Sequence, residues 1–120
     1  MRLATIRLEL ARGAGAPEGD SRHGYEFKAP LDRSGHIDEP SWRRNRAFCT
    51  VRRFTPDSDD EWGHLAHRGG HRWRFHYDIG PAGDDESGYR FDQHVFKPGE
   101  YVSITEHDGV MRTFKVAAVD

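Results

Sequence analysis

Between Ala4 and Leu10 the chain alternates: Ala4, Ile6, Leu8 and Leu10 share one parity and Thr5, Arg7 and Glu9 the other. That is the period of a strand with one buried face. The rhythm returns at 24–28, where Tyr25 and Phe27 fall on one face before Pro30, Ser34 and Gly35 break the chain. It returns again at 48–54, where FCTVRRF is β-branched and aromatic and Cys49 shares a parity with Val51, so the thiol is expected in the core. Near the end, EYVSITEH and VMRTFKVAAV flank Asp108-Gly109. That dipeptide suits the positive φ angles of a two-residue type I′ turn, so 100–119 should form a long hairpin.

One segment breaks the strand pattern. Pro40 beside Asp38 and Glu39 has helix-start chemistry, and Trp42 with Arg46 gives one turn a common face, which predicts a single short helix over about 39–47. The glycine- and proline-bearing stretch 12–22, the acidic 56–61 and the GPAGDDESG run read as loops. Together these elements predict a mainly β fold, a small antiparallel barrel or strongly twisted sheet of about six to seven strands, with the helix across one end. At 120 residues, with no linker-like composition inside, the chain reads as one domain over 1–120.

Composition narrows the function. Only 35% of residues are hydrophobic but 12% are aromatic, so a few large rings must supply much of the core. The formal charge is −2, from 18 basic and 20 acidic residues, which leaves no global field to recruit nucleic acid or anionic lipid. A single cysteine rules out an intrachain disulfide, and the amino-terminal residues alternate instead of forming a signal-like apolar run, so a cytoplasmic location is expected. No apolar stretch reaches the roughly 20 residues of a membrane-spanning helix.

The densest candidate chemistry lies at 62–78, WGHLAHRGGHRWRFHYD, with four of the eight histidines. Two geometries compete for it. A helix over 58–70, begun by a Ser58/Glu61 capping box and ended by Gly69, would let His64, His67 and His71 approach one point and hold zinc or another transition metal. A hairpin closed by Gly69-Gly70 would instead pair 68 with 71, 66 with 73, 64 with 75 and 62 with 77. One face would then carry Trp62, His64, Ala66, His71, Trp73, Phe75 and Tyr77. His64 and His71 would stand roughly 13 Å apart along the ladder, with His67 and His76 on the other side. Because WRFHY is strand-like and Gly-Gly suits a primed turn, the hairpin is the better match, and it scatters the histidines.

A second cluster, Arg43, Arg44, Arg46, Arg52 and Arg53, is interleaved with Trp42, Phe48 and Phe54 and could track phosphates and stack bases of a nucleic acid. Its simpler reading is a solvated face paired with the acids at 57–61. No nucleotide-binding glycine motif and no catalytic dyad is present, and Cys49 reads as structural.

The segment FKPGEYVSITEHDGVMRTFKVAAV resembles the flavin-binding barrel of ferredoxin-reductase-like proteins. Pro98, Gly99, Glu100 and Tyr101 match its first strand motif, and Arg112, Thr113, Phe114 and Lys115 occupy the second. The resemblance implies flavin contacts from an aromatic hydroxyl and a small hydroxyl at the last two positions, which Phe114 and Lys115 do not offer. The order of strand one, the CTVRRF strand, HRGGHRWRFHYD and the final hairpin also resembles a family of small bacterial proteins with no assigned activity, which implies no site. The resulting expectation is a soluble binding or protein-interaction module for a protein or small ligand, without a cofactor or catalytic residues. The alternatives are a metal protein using His64, His67 and His71 and a nucleic-acid binder using the arginines.

Overall fold

The computed structural model describes residues 2–13, 16–68, 72–79 and 85–120. Its strands are β1 (Leu3–Leu10), β2 (Asp20–Pro30), β3 (Thr50–Thr55), β4 (Ser58–Arg68), β5 (Arg72–Tyr77), β6 (Glu86–Tyr89), β7 (Tyr101–Thr105) and β8 (Met111–Val119). Each pairs antiparallel with the next, and β8 returns to β1 to close an up-and-down barrel. The one α-helix among the described residues, α1 (Glu39–Asn45), lies in the β2–β3 connection and runs on into a 3₁₀ turn at Arg46–Phe48. Asp38 caps it, accepting the Ser41 N–H at 3.1 Å, and Pro40 occupies the first turn, where no backbone N–H is missed. No helix among the described residues is long and apolar enough to cross a membrane.

The inward positions follow the expected parity on every predicted strand except β4, where the face is reversed. Ile6 and Leu8, Tyr25 and Phe27, Val51, Leu65, Phe75, Ile104, Phe114 and Val116 are all buried. Rings fill the middle of the barrel: Phe75 lies 5.2 Å from both Tyr25 and Phe27, and Phe91 and Phe96 extend the cluster from the β6–β7 connection at 5.3 Å from one another. Such tilted and edge-to-face pairs let few side chains fill an eight-stranded interior. Gly88 makes room for this plug, because the Phe91 ring lies where a Cβ on Gly88 would stand. At the helix end, Trp42 packs edge-on to Trp73 at 5.2 Å and donates its indole N–H to the Leu65 carbonyl at 2.9 Å.

Several boundaries differ from the sequence reading for local physical reasons. Strand β2 begins at Asp20, inside the expected loop, because it must reach β1 as far as Leu10. Residues 58–61 form strand, neither a turn nor a helix cap: Thr55 pairs with Ser58 across the two-residue link Pro56-Asp57. Strand β6 forms within the stretch expected as loop and brings the count to eight. In the last hairpin Glu106 and Val110 pair across three residues instead of two, with Gly109 at φ 79° and its N–H bonded to the Glu106 carbonyl at 2.8 Å. That is the geometry of a turn followed by a left-handed residue, for which glycine is suited.

The β4–β5 pairing is a hairpin as expected, but in a register one residue away. Arg68 pairs with Arg72, Leu65 with Phe75 and His64 with His76. Three residues, not two, therefore separate the strands. The slip turns β4 over, so Gly63, Leu65 and His67 share the inward face with Trp73, Phe75 and Tyr77, while Trp62, His64 and Ala66 face outward. Leu65, the one large aliphatic residue of β4, is thereby buried, and Trp62 is left exposed.

Candidate functional site

The inward parity continues past the apolar layers to the barrel end opposite α1, and there it delivers charge. His23 stands two residues before Tyr25, Arg53 two after Val51, Tyr77 two after Phe75, Glu106 two after Ile104 and Arg112 two before Phe114. Glu86 faces the same space from the start of β6, where it pairs with Phe75. Two carboxylates, Glu86 and Glu106, are buried here.

The contacts form one network. Tyr25 Oη lies 2.6 Å from Glu106 Oε2 and 2.9 Å from Glu86 Oε1, which also lies 2.6 Å from Tyr77 Oη. The His107 backbone N–H donates to Glu86 Oε2 at 3.0 Å. Arg53 spans the centre, with Nη2 at 3.1 Å from Glu106, Nη1 at 3.0 Å from Glu61 and Nε at 3.2 Å from Glu86 Oε2. Glu106 also meets His23 Nε2 at 3.0 Å and Arg112 Nη1 at 3.0 Å, and His107 Nε2 meets Glu61 at 3.0 Å.

These surroundings drive the two acids apart. Burial alone would raise Glu106, but hydrogen bonds from His23 and Tyr25, with the charges of His23 and Arg53, hold it down to about 2. Burial raises Glu86, and the Tyr77 hydrogen bond and the Arg53 charge offset this only in part, so its carboxyl stays above the usual range. Burial above all pushes both tyrosines up, so they remain phenols. Burial works against the Arg53 charge, but Tyr25, Glu86 and Glu106 more than offset it and the guanidinium stays protonated. A pair of buried acids pushed in opposite directions is the type of arrangement found where a protein handles charge or protons.

The network meets solvent at a cleft of about 680 Å³ between the β1–β2, β3–β4 and β7–β8 connections. His23, Arg112, Asp57 and Arg12 contribute its charged and polar lining, and Leu10 and Met111 add apolar surface. Because Glu106 grips both His23 and Arg112 from below, these groups reach the cleft already oriented.

The sequence-singled residues lie elsewhere. His64 and His67 fall on opposite faces of β4 and line a second groove, of about 500 Å³, between the helix and β4–β5. There they lean on different carboxylates, His64 on Asp78 at 3.4 Å and His67 toward Glu39 at 3.9 Å. His71 lies outside the described residues. No three His, Cys, Asp or Glu side chains among the described residues converge as a metal ion requires. The helix that would have joined His64 with His67 is replaced by strand.

The five arginines divide among three places. Arg43, Arg44 and Arg46 are exposed on the helix and 3₁₀ turn, with Arg43 paired to Glu39 and Arg46 lying 5.8 Å from the Trp42 ring. Arg52 stands on the outer wall, bonded to Glu26 and Asp60 and stacked 4.9 Å from Phe54. Arg53 points inward. Alternation on β3 separates these last two neighbours, so the cluster does not present one face.

Cys49 is fully buried, and that burial pushes its thiol up to about 11. We expect the native protein to leave this thiol unmodified by a thiol-specific disulfide reagent at about pH 8 and to yield one reactive thiol per chain in denaturant. Modification of the native state at the rate of a free thiol would contradict this burial. Phe114 is likewise core and pairs with Val102, while Lys115 faces out between Glu9 and Tyr101. No family model matches the chain, and neither the curated proteins nor the solved structures contain a significant match.

Proposed function

We propose that this protein is a binding module, not a catalyst, and that it takes a protein segment or small ligand in the cleft over the charged end of the barrel. The observation that supports this reading is the double grip of Glu106 on His23 and Arg112, which fixes two polar groups in a concave surface that Leu10 and Met111 line with apolar area. Binding sites combine a few oriented polar groups with apolar lining, and the mouth of a barrel is a common place for one. The ring-filled interior directs binding to the outside, and the two buried acids are enclosed by protein groups. The single, buried cysteine supports a cytosolic setting.

Chemical-shift mapping of the full chain against a panel of small carboxylates, amides and short peptides tests the reading. The expected result is saturable shifts centred on His23, Thr55, Met111 and Arg112 that are lost in Arg112→Ala. Shifts centred on the Trp42 and His64 groove, or none at ligand concentrations well into the millimolar range, would refute it.

A further inference from the structure

We propose that the charged end of the barrel is a proton-binding site, in which Glu86 is a neutral carboxylic acid at neutral pH, donating to the Tyr25 oxygen while Tyr25 donates to an ionised Glu106. The argument is a count of hydrogens. Three close oxygen–oxygen contacts join these groups: Tyr25 with Glu106, Tyr25 with Glu86, and Tyr77 with Glu86. Two phenols bring two hydrogens, and a hydrogen serves one such short contact. The third contact sets lone pairs against each other unless a carboxyl carries a proton.

Geometry assigns that proton to Glu86. Glu106 receives His23, Arg53, Arg112 and Tyr25, a set of donors that suits an anion. Glu86 receives far less: Oε2 accepts the His107 N–H, and although Arg53 Nε is 3.2 Å away, that buried N–H makes no hydrogen bond. With the proton on Oε1, every oxygen of the pair has a consistent role. Oε1 donates to Tyr25 and accepts from Tyr77, and Oε2 accepts as a carbonyl does.

The groups facing Glu86 come from every neighbouring wall: Tyr25 from β2, Arg53 from β3, Glu61 from β4 by way of Tyr77 and His107, Tyr77 from β5, and Glu106 and His107 from the turn after β7. Losing the proton would place a second buried anion beside Glu106 across one phenol, with Arg53 shared between them. The sign of the pH dependence follows. A carboxyl whose folded value lies above its unfolded value of 4.5 binds a proton on folding, so its stabilisation is complete below 4.5 and declines as pH rises toward the folded value. Glu106 acts in the opposite sense, its contribution being lost as pH falls from 4.5 toward about 2.

Infrared difference spectroscopy on the full chain reads the proton directly. At neutral pH the native protein should show a carboxylic-acid carbonyl band that persists in Glu106→Gln, disappears in Glu86→Gln and is lost on alkaline titration. Urea unfolding adds an independent readout. Between pH 4.5 and the pH at which the band disappears, the unfolding constant of the native chain should rise relative to Glu86→Gln by up to about tenfold per pH unit. The absence of an acid band at neutral pH in the folded chain overturns the proposal. So does a band that Glu106→Gln abolishes while Glu86→Gln retains it, or a pH-independent ratio of the two unfolding constants. Should Glu86→Gln fail to fold, the native chain and Glu106→Gln still decide, through the presence and persistence of the band.

Discussion

Arg53→Met should cost about 3–5 kcal/mol of folding stability, because it strips the shared cation from a buried set of acids. Its guanidinium reaches Glu61, Glu86 and Glu106, and Glu106 is held ionised with its side chain 1% exposed. Methionine nearly matches the length and apolar bulk of the arginine stem, so the loss reports charge more than volume. Arg52→Met is the control: its side chain is 27% exposed, it pairs on the outer wall, and it should cost no more than about 1 kcal/mol. Urea unfolding of both variants near neutral pH measures the difference. For a domain whose whole stability is about 5–15 kcal/mol, the first change should be conspicuous and the second minor. Equal losses would show that the inward arginine carries no special share of the fold.

Phe75→Ala should be comparably severe, at about 3–5 kcal/mol, through the loss of packing and the cavity left behind. Phe75 is 1% exposed and its ring contacts those of Tyr25, Phe27 and Phe91, so its removal opens a hole where the barrel is widest in rings and where strands cannot collapse inward without breaking the ladder. Phe48→Ala, on a ring 66% exposed at the end of the 3₁₀ turn, should change stability little. Thermal unfolding of the two variants provides the comparison, and a Phe48 loss equal to that of Phe75 would contradict the filled-core description.

Parity made the body of the fold readable. Ile6 with Leu8, Tyr25 with Phe27, and Cys49 with Val51 announce their strands and their inward faces, and Pro40 with Asp38 announces the helix. The β4 face was not readable, because Leu65 is the only large aliphatic residue of the strand and Trp62 offers a competing apolar group on the opposite parity, while the Gly69-Gly70 turn expected from the sequence lies outside the described residues. Strand β6 was invisible for a different reason. Its inward residues are Glu86 and Gly88, a carboxylate and a glycine, and neither carries the apolar signal by which a strand is recognised.

The charged end was partly written in the sequence. His23, Arg53, Glu106 and Arg112 each extend an apolar parity by two residues, and polar groups at inward positions of three strands and just past a fourth signal a polar layer. Reading the arginines by their spacing along the chain, instead of by parity, concealed this, since Arg52 and Arg53 are neighbours with opposite destinations. The histidine-rich stretch drew attention by density, but density is a one-dimensional property, whereas ligation requires convergence.

Closure of the barrel through β1 and β8 also sets the order in which the molecule can mature. Ile6 must find Val119, a contact spanning nearly the whole chain, and such distant pairings make folding slow. As synthesis proceeds, Arg53 and Glu86 emerge well before Glu106 and Arg112, so the ionic end has no complete set of counter-charges until the final hairpin is available. Without β8 the same sheet would present two open edges, at β1 and at β7, and the pairing of β8 with both is what turns it into a ring.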